Sequence, residues 1–234
     1  AFTPLAKDDP ELAAVVLESL RRDGVKIFAE TAIKKISKAK PGIAIETAGH
    51  GKITGSHLLV ATGRAANVEG LNLEAAGVVY TAKGVTVDKG LRTSQKHIYA
   101  IGDVAGGLQF THVANYHAGL VIRNTLFRLP VSNRCDIIPH VTFSEPELAQ
   151  VGFTEAQALK DYGPSIKVVR WPFLDNDRAQ AEGKTTGLIK AVIGKRGRIL
   201  GVGIVGANAG EVIHPWVLAM NEGLKIRAIA GMVA

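Results

Sequence analysis

The sequence predicts a mixed fold, a partial α/β layered domain followed by an α+β region built on an antiparallel sheet. Three observations carry this. Residues 1–63 set one helical pattern beside four short β-type runs, the arrangement of half a doubly wound domain. An apolar run ending on Gly102-Asp103 then leads through a Gly-rich turn into a second helical pattern. From about residue 133 onward, short apolar runs recur between turn signals, with helical patterns beside them.

The first helix is signed at both ends. Asp9 is an N-cap, Pro10 fits the first turn and Gly24 suits a left-handed C-terminal position. Between them Leu12, Val15, Val16 and Leu20 recur at helical spacing and mark a buried face. The β-type runs that follow are Val25 to Ala29, Ala32 to Ser37, Gly42 to Thr47 and His57 to Ala61, with turns at Ala39-Lys40-Pro41-Gly42 and Ala48-Gly49-His50-Gly51.

The run His97 to Ile101, read as a strand, ends on Gly102-Asp103. Thr111-His112-Val113-Ala114 reads as a helix start a few residues later. Glycine lets a ligand approach the backbone, the carboxylate accepts from a hydroxyl, and a helix N-terminus favours negative charge. On spacing alone the stretch is equally a plain strand-to-loop turn with an exposed aspartate.

Further on, Ile137 to Phe143, Ile166 to Arg170, Gly187 to Ile193 and Ile199 to Val205 read as strands, the last two joined by a turn at Lys195-Arg196-Gly197-Arg198. Thr154-Glu155-Ala156-Gln157 has the pattern of a capping box for a helix ending before Gly163-Pro164, and a last helix spans about Ala209 to Asn221. Asp175 and Asp177 alternate like cation ligands, but no glutamate or glycine completes a calcium loop, so a solvated turn is expected. His214, beside Pro215 and Trp216, reads as a packed helix or interface residue, since no carboxylate or cysteine is placed by sequence to make it a base.

Composition removes several classes. The chain has 234 residues, 47% hydrophobic, with 26 glycines and no apolar run near the ~20 residues that span a bilayer. Ala1-Phe2-Thr3-Pro4 opens no signal peptide, so a cytoplasmic setting is expected. The single cysteine, Cys135, excludes an internal disulfide and any cysteine-based metal cluster; no metal site is expected. The net charge of +7 gathers at Lys34, Lys35, Lys38 and Lys40 and at Lys195, Arg196 and Arg198, without interleaved aromatics. Solvated surface, or a match to anionic cofactors, explains it, and no nucleic-acid partner is expected. The lack of an initiating Met and of the other half of the doubly wound domain suggests a piece of a longer chain.

Several ordered motifs point further: Ala61-Thr62-Gly63-Arg64, then Tyr99-Ala100-Ile101-Gly102-Asp103-Val104, Phe143-Ser144-Glu145-Pro146-Glu147, Val151-Gly152-Phe153-Thr154-Glu155, and Ile204-Val205-Gly206 through Ala209-Gly210-Glu211. In this order and separation the chain resembles the flavoprotein pyridine nucleotide-disulfide oxidoreductases, the group of lipoamide dehydrogenase and mercuric reductase. The resemblance implies three regions. These are the second half of an NAD(P)-binding domain at 1–63, the C-terminal part of an FAD-binding domain at 64–132, and an interface domain at 133–234 that forms a homodimer. It implies that Gly102 and Asp103 meet the ribityl chain of FAD and that Gln109, Phe110, Thr111 and His112 pass under the flavin ring. Gly63 and Ile33 would line the crevice for NAD or NADP. Electrons would move from NAD(P)H through FAD to a disulfide or related small-molecule acceptor. The family's N-terminal glycine fingerprint and its Cys-x-x-x-x-Cys pair are absent here, and no catalytic residue is assigned. The chain alone is therefore expected to be inactive and to hold FAD weakly or not at all. A non-catalytic dimerisation module is the alternative.

Overall fold

The computed structural model describes residues 3–233; Ala1, Phe2 and Ala234, which bound the first and last expected regions, lie outside it. By internal packing the chain forms two compact units, Ala1–Val60 with Asp136–Ala234, and Ala61–Cys135. The boundaries at 63/64 and 132/133 drawn from the sequence divide the chain by family role rather than by packing.

In the first unit, helix α1 (Pro10–Arg22) begins as expected, with the Asp9 side chain accepting from the Glu11 N–H and Pro10 at the first position. It ends at Asp23, with Gly24 following at φ +87°. Leu12, Ala13 and Val16 are buried and Val15 and Leu20 flank them. Strands β1 (Ile33–Lys38), β2 (Ile43–Thr47) and β3 (Gly51–Gly55) then form an antiparallel meander, β1-β2-β3. β3 was not expected: the strand after β2 was read at His57 to Ala61, whereas β2 pairs with Gly51–Gly55, which takes Gly51 from the stretch read as a turn. The runs Val25 to Ala29 and His57 to Ala61 are not strands. A strand exists through its ladder, and neither run has a partner strand among the described residues. Leu59 and Val60 are left 88% and 66% exposed.

In the second unit, β4 (Tyr80–Thr81) and β5 (Gly84–Val85) make a small hairpin. Val78, Val85 and Ala100 form its core, with Leu73, Ile98 and Val104 packed around them. The run His97 to Ile101 is not a strand either. It pairs through a single antiparallel bridge, Arg92 with Tyr99, because the partner segment continues only as loop. A 3-10 turn at Gly102–Ala105 follows, then helix α2 (Thr111–Thr125), whose buried residues are Val113, His117 and Leu120.

The first unit resumes after Asp136. Among the described residues, five strands form an antiparallel sheet: β6 (His140–Thr142), β7 (Glu147–Gly152), β8 (Lys167–Pro172), β9 (Leu188–Ile193) and β10 (Ile199–Gly206), ordered β6-β7-β10-β9-β8. β7 was not expected; its motif Val151-Gly152-Phe153 stood out as family pattern rather than as alternation. Helix α3 (Glu155–Tyr162) has the expected capping box, Thr154 with Gln157. Asp175 and Asp177 lie at another helix start instead of an open turn: α4 (Asp177–Glu182) is capped by the Asn176 side chain, which accepts from the Ala179 N–H. The last helical stretch is broken into α5 (Ala209–Val212) and α6 (His214–Asn221), followed by α7 (Ile226–Ala230). Pro215 carries no N–H, so a break just before it costs little.

Every residue of β10 is buried, which is why it reads as one apolar run. Val202 and Ile204 face α5 and α6, packing with Ile213 and Trp216. Val205 faces the other way, with Leu148, onto Leu12 and Val16 of α1. A register shift between Ile199 and Gly201 turns Leu200 to a third cluster with Ala158 and Val192. Gly203 lets α1 come close: a Cβ there would lie 2.2 Å from Leu12 Cδ1.

Ion pairs bind α1 to this sheet. Lys190, 4% exposed on β9, places Nζ 2.9 Å from both Asp9 carboxylate oxygens and 2.8 Å from Glu11 and Glu155. Arg170 Nε lies 2.8 Å from Glu11 Oε1, and its Nη2 lies 3.0 Å from Glu155. The hydrogen bond from Arg170, helped by Lys190 and opposed by burial, holds the Glu11 carboxyl down at about 2. Burial disfavours the Lys190 ammonium, yet its carboxylate partners raise its pKa overall.

Candidate functional site

The site is built on the second unit. Gly102 is buried at φ +66°, a backbone region that costs any L side chain energy, and a Cβ there would lie 2.9 Å from Ala114 Cβ on α2. Its N–H donates to His117 Nδ1 at 3.1 Å. Helix α2 and the Gly-Asp turn are thus tied at two adjacent points. The 3-10 turn closes with the Gly106 N–H donating to the Asp103 carbonyl at 3.0 Å, and it leaves the Asp103 side chain exposed. An exposed carboxylate at a fixed turn is an acceptor for hydroxyl groups.

The chain then reaches α2 through Gln109 and Phe110. Phe110 is the N-cap in extended conformation, and its apolar side chain makes no capping hydrogen bond. The rings of Phe110 and His112 stack, 5.3 Å apart and 9° from parallel. Arg64 reaches across the unit and donates from Nη1 to the Gln109 carbonyl at 2.7 Å, which ties the Ala61-Thr62-Gly63-Arg64 motif to the segment before α2. Gly63, at φ +138°, has open space where a side chain would be. The structure therefore gathers Gly63, Gly102, Asp103, Gln109, Phe110, Thr111 and His112 in one unit. Ile33 lies in the other, on β1, 58% exposed.

Sequence reasoning missed two residues here. His117 stands in an apolar i, i+4, i+7 file with Val113 and Leu120, and a polar residue in such a file was the available signal. Asn124 accepts from Arg92 at 2.9 Å and from Tyr99 at 3.0 Å, and it carried no signal. Elsewhere, His214 opens α6 and is exposed, with Nδ1 3.3 Å from the Glu211 carbonyl, so of the two places expected for it, packed in the helix or at an interface, the first does not hold. Gly201-Val202-Gly203-Ile204-Val205-Gly206 spells a dinucleotide fingerprint, yet all of it lies inside β10 instead of at a strand-to-helix turn. Cys135 is exposed, and no group of three or more His, Cys, Asp or Glu placed to hold a metal ion occurs among the described residues.

Two family patterns match the chain. The pattern of pyridine nucleotide-disulphide oxidoreductases matches residues 3–118, and that of their dimerisation domain matches residues 138–234. The chain belongs to the pyridine nucleotide-disulphide oxidoreductase family. Within that family it is 38% identical to a mercuric reductase of Staphylococcus aureus over 97% of this chain and 42% of that protein. It is 34% identical to a dihydrolipoyl dehydrogenase of Geobacillus stearothermophilus over 95% of this chain and 48% of that one. The HOCl-induced flavoprotein disulfide reductase RclA of Escherichia coli superposes with a TM-score of 0.90 at 29% identity, covering 100% of this chain and 54% of that structure. The chain thus spans less than half the length of these two curated relatives. No helix among the described residues is long and apolar enough to cross a membrane.

Proposed function

We propose that this chain supplies one wall of an FAD site and the dimer-forming domain of a flavoprotein that moves electrons from NAD(P)H to a disulfide or related small-molecule acceptor. The observation that carries the reading is the pairing, in one unit, of an exposed carboxylate on a fixed Gly-Asp turn with the N-terminus of helix α2. The donor and acceptor set fits FAD. Asp103 can accept from ribityl hydroxyls, and the α2 N-terminus, with Thr111 and His112 in its first turn, favours the anionic edge that a reduced flavin presents. Bound FAD would supply two-electron chemistry between the nicotinamide and the acceptor. This chain's own part is to hold and orient: Gly102 brings the backbone close, Arg64 fixes the Gln109 carbonyl, and Gly63 leaves open space for a nucleotide. The match of residues 138–234 to the dimerisation domain supports a homodimer. No nucleic-acid role is proposed, and the setting is taken as cytoplasmic.

The chain as it stands should bind FAD weakly and fail to oxidise NADH. Absorbance spectra after incubation with FAD and desalting, followed by addition of NADH, check this. Retained flavin bleached by NADH would overturn the inactivity, and a stable dimer without flavin by light scattering is the expected result. In the full-length protein, Asp103→Ala should weaken FAD binding by roughly tenfold or more, the loss of a charge-assisted hydrogen bond.

A further inference from the structure

The Gly102-Asp103 turn hangs on a buried imidazole. His117 is 3% exposed, and its Nδ1 is the acceptor for the Gly102 N–H. An accepting Nδ1 requires the neutral ring with its proton on Nε2. That Nε2 is buried, as is Asn133 Oδ1. Burial pulls the imidazole pKa below its usual value, while the Asn133 side chain acts the other way. A leucine would fill this place in the Val113–Leu120 file and bring no polar atom of its own. What a leucine could not do is take the Gly102 N–H, which enters a 3-10 turn from an extended residue, Ile101, and would otherwise be a buried orphan.

We propose that His117 is a positioning residue of the flavin site: its Nδ1 holds the Gly102 N–H, and through that bond it aims the Asp103 carboxylate at the cofactor. The inference rests on the FAD reading above. It adds that one acceptor atom, on a residue that does not itself face the ligand, sets how well the Asp103 turn grips. The ring is neutral in the working protein, and its role is geometric, with no proton passed to the reacting groups.

Side-chain geometry gives a sharp test in the full-length protein. In His117→Asn the amide oxygen can stand where Nδ1 stands; in His117→Gln the polar end moves to the Nε2 position; His117→Leu keeps bulk and has no acceptor. FAD affinity from fluorescence titration, the flavin absorbance spectrum and thermal unfolding of each apoprotein are measured together. His117→Asn should stay within about threefold of the parent affinity. His117→Gln and His117→Leu should lose about tenfold or more, the scale of one hydrogen bond, at unfolding temperatures close to that of His117→Asn. Equal affinities in all three overturn the proposal. Asp103→Ala separates the two readings. If it too leaves affinity unchanged, the FAD assignment fails, whereas a loss there without one in His117→Leu overturns only the role of His117. Should the leucine variant not fold, the imidazole nitrogen shifts of the parent protein decide. An unprotonated Nδ1 with a protonated Nε2 is expected, and a proton on Nδ1 overturns the proposal.

Discussion

Gly102 concentrates two constraints in one atom position. A side chain there would need the left-handed backbone region and would press on Ala114 Cβ at 2.9 Å, so Gly102→Ala combines backbone strain with overpacking. A loss of about 2–4 kcal/mol in urea unfolding is expected, with FAD affinity falling further than stability because α2 and the Asp103 turn move apart. The turn and the helix start beside it were readable from the sequence because Gly-Asp, the Gly-rich turn and the Thr111 start are close along the chain. His117 was not, because its role depends on which atom lies across from the helix, and linear spacing does not carry that.

Helix α1 shows what an element needs to be legible. Its cap, first-turn proline, apolar face and stop are all local, and all four expectations stand. The runs Val25 to Ala29 and His57 to Ala61 have strand-like composition too, but a strand is completed by a neighbour, and none lies beside them among the described residues. The same reason explains β7, a strand recognised only by its partners β6 and β10. α4 escaped because its cap, Asn176, sits between two aspartates that drew attention as metal ligands. On α1 itself, Leu12 is fully buried against Gly203 and packs with Val16, Leu148 and Val205. Leu12→Ala should cost about 2–5 kcal/mol by thermal or urea unfolding, toward the upper end because a helix already pressed on a glycine has little room to close the gap.

Across the whole molecule, α1 is held to the sheet by charge as well as by packing. The Glu11 carboxyl titrates near 2 in the folded chain and near its ordinary 4.5 when unfolded, so its contribution is complete above about pH 5 and disappears as the pH falls toward 2. Urea midpoints of the parent and of Glu11→Gln, compared from pH 7 down to pH 2, should differ by a constant amount at the upper end and converge at the lower end. A difference that grows in acid would contradict the pairing. Such long-range pairing was invisible in the sequence, where Asp9 and Lys190 are separated by 181 residues. That separation has a consequence for biosynthesis. At ~5–20 residues per second, a ribosome finishes Asp9 roughly 10–40 s before the 181st residue after it, Lys190, is made. For that interval the apolar stripe of α1 has no sheet to cover it. Until β9 and β10 have emerged, the helix that anchors the finished domain keeps an apolar stripe open to chaperones and to association with other chains.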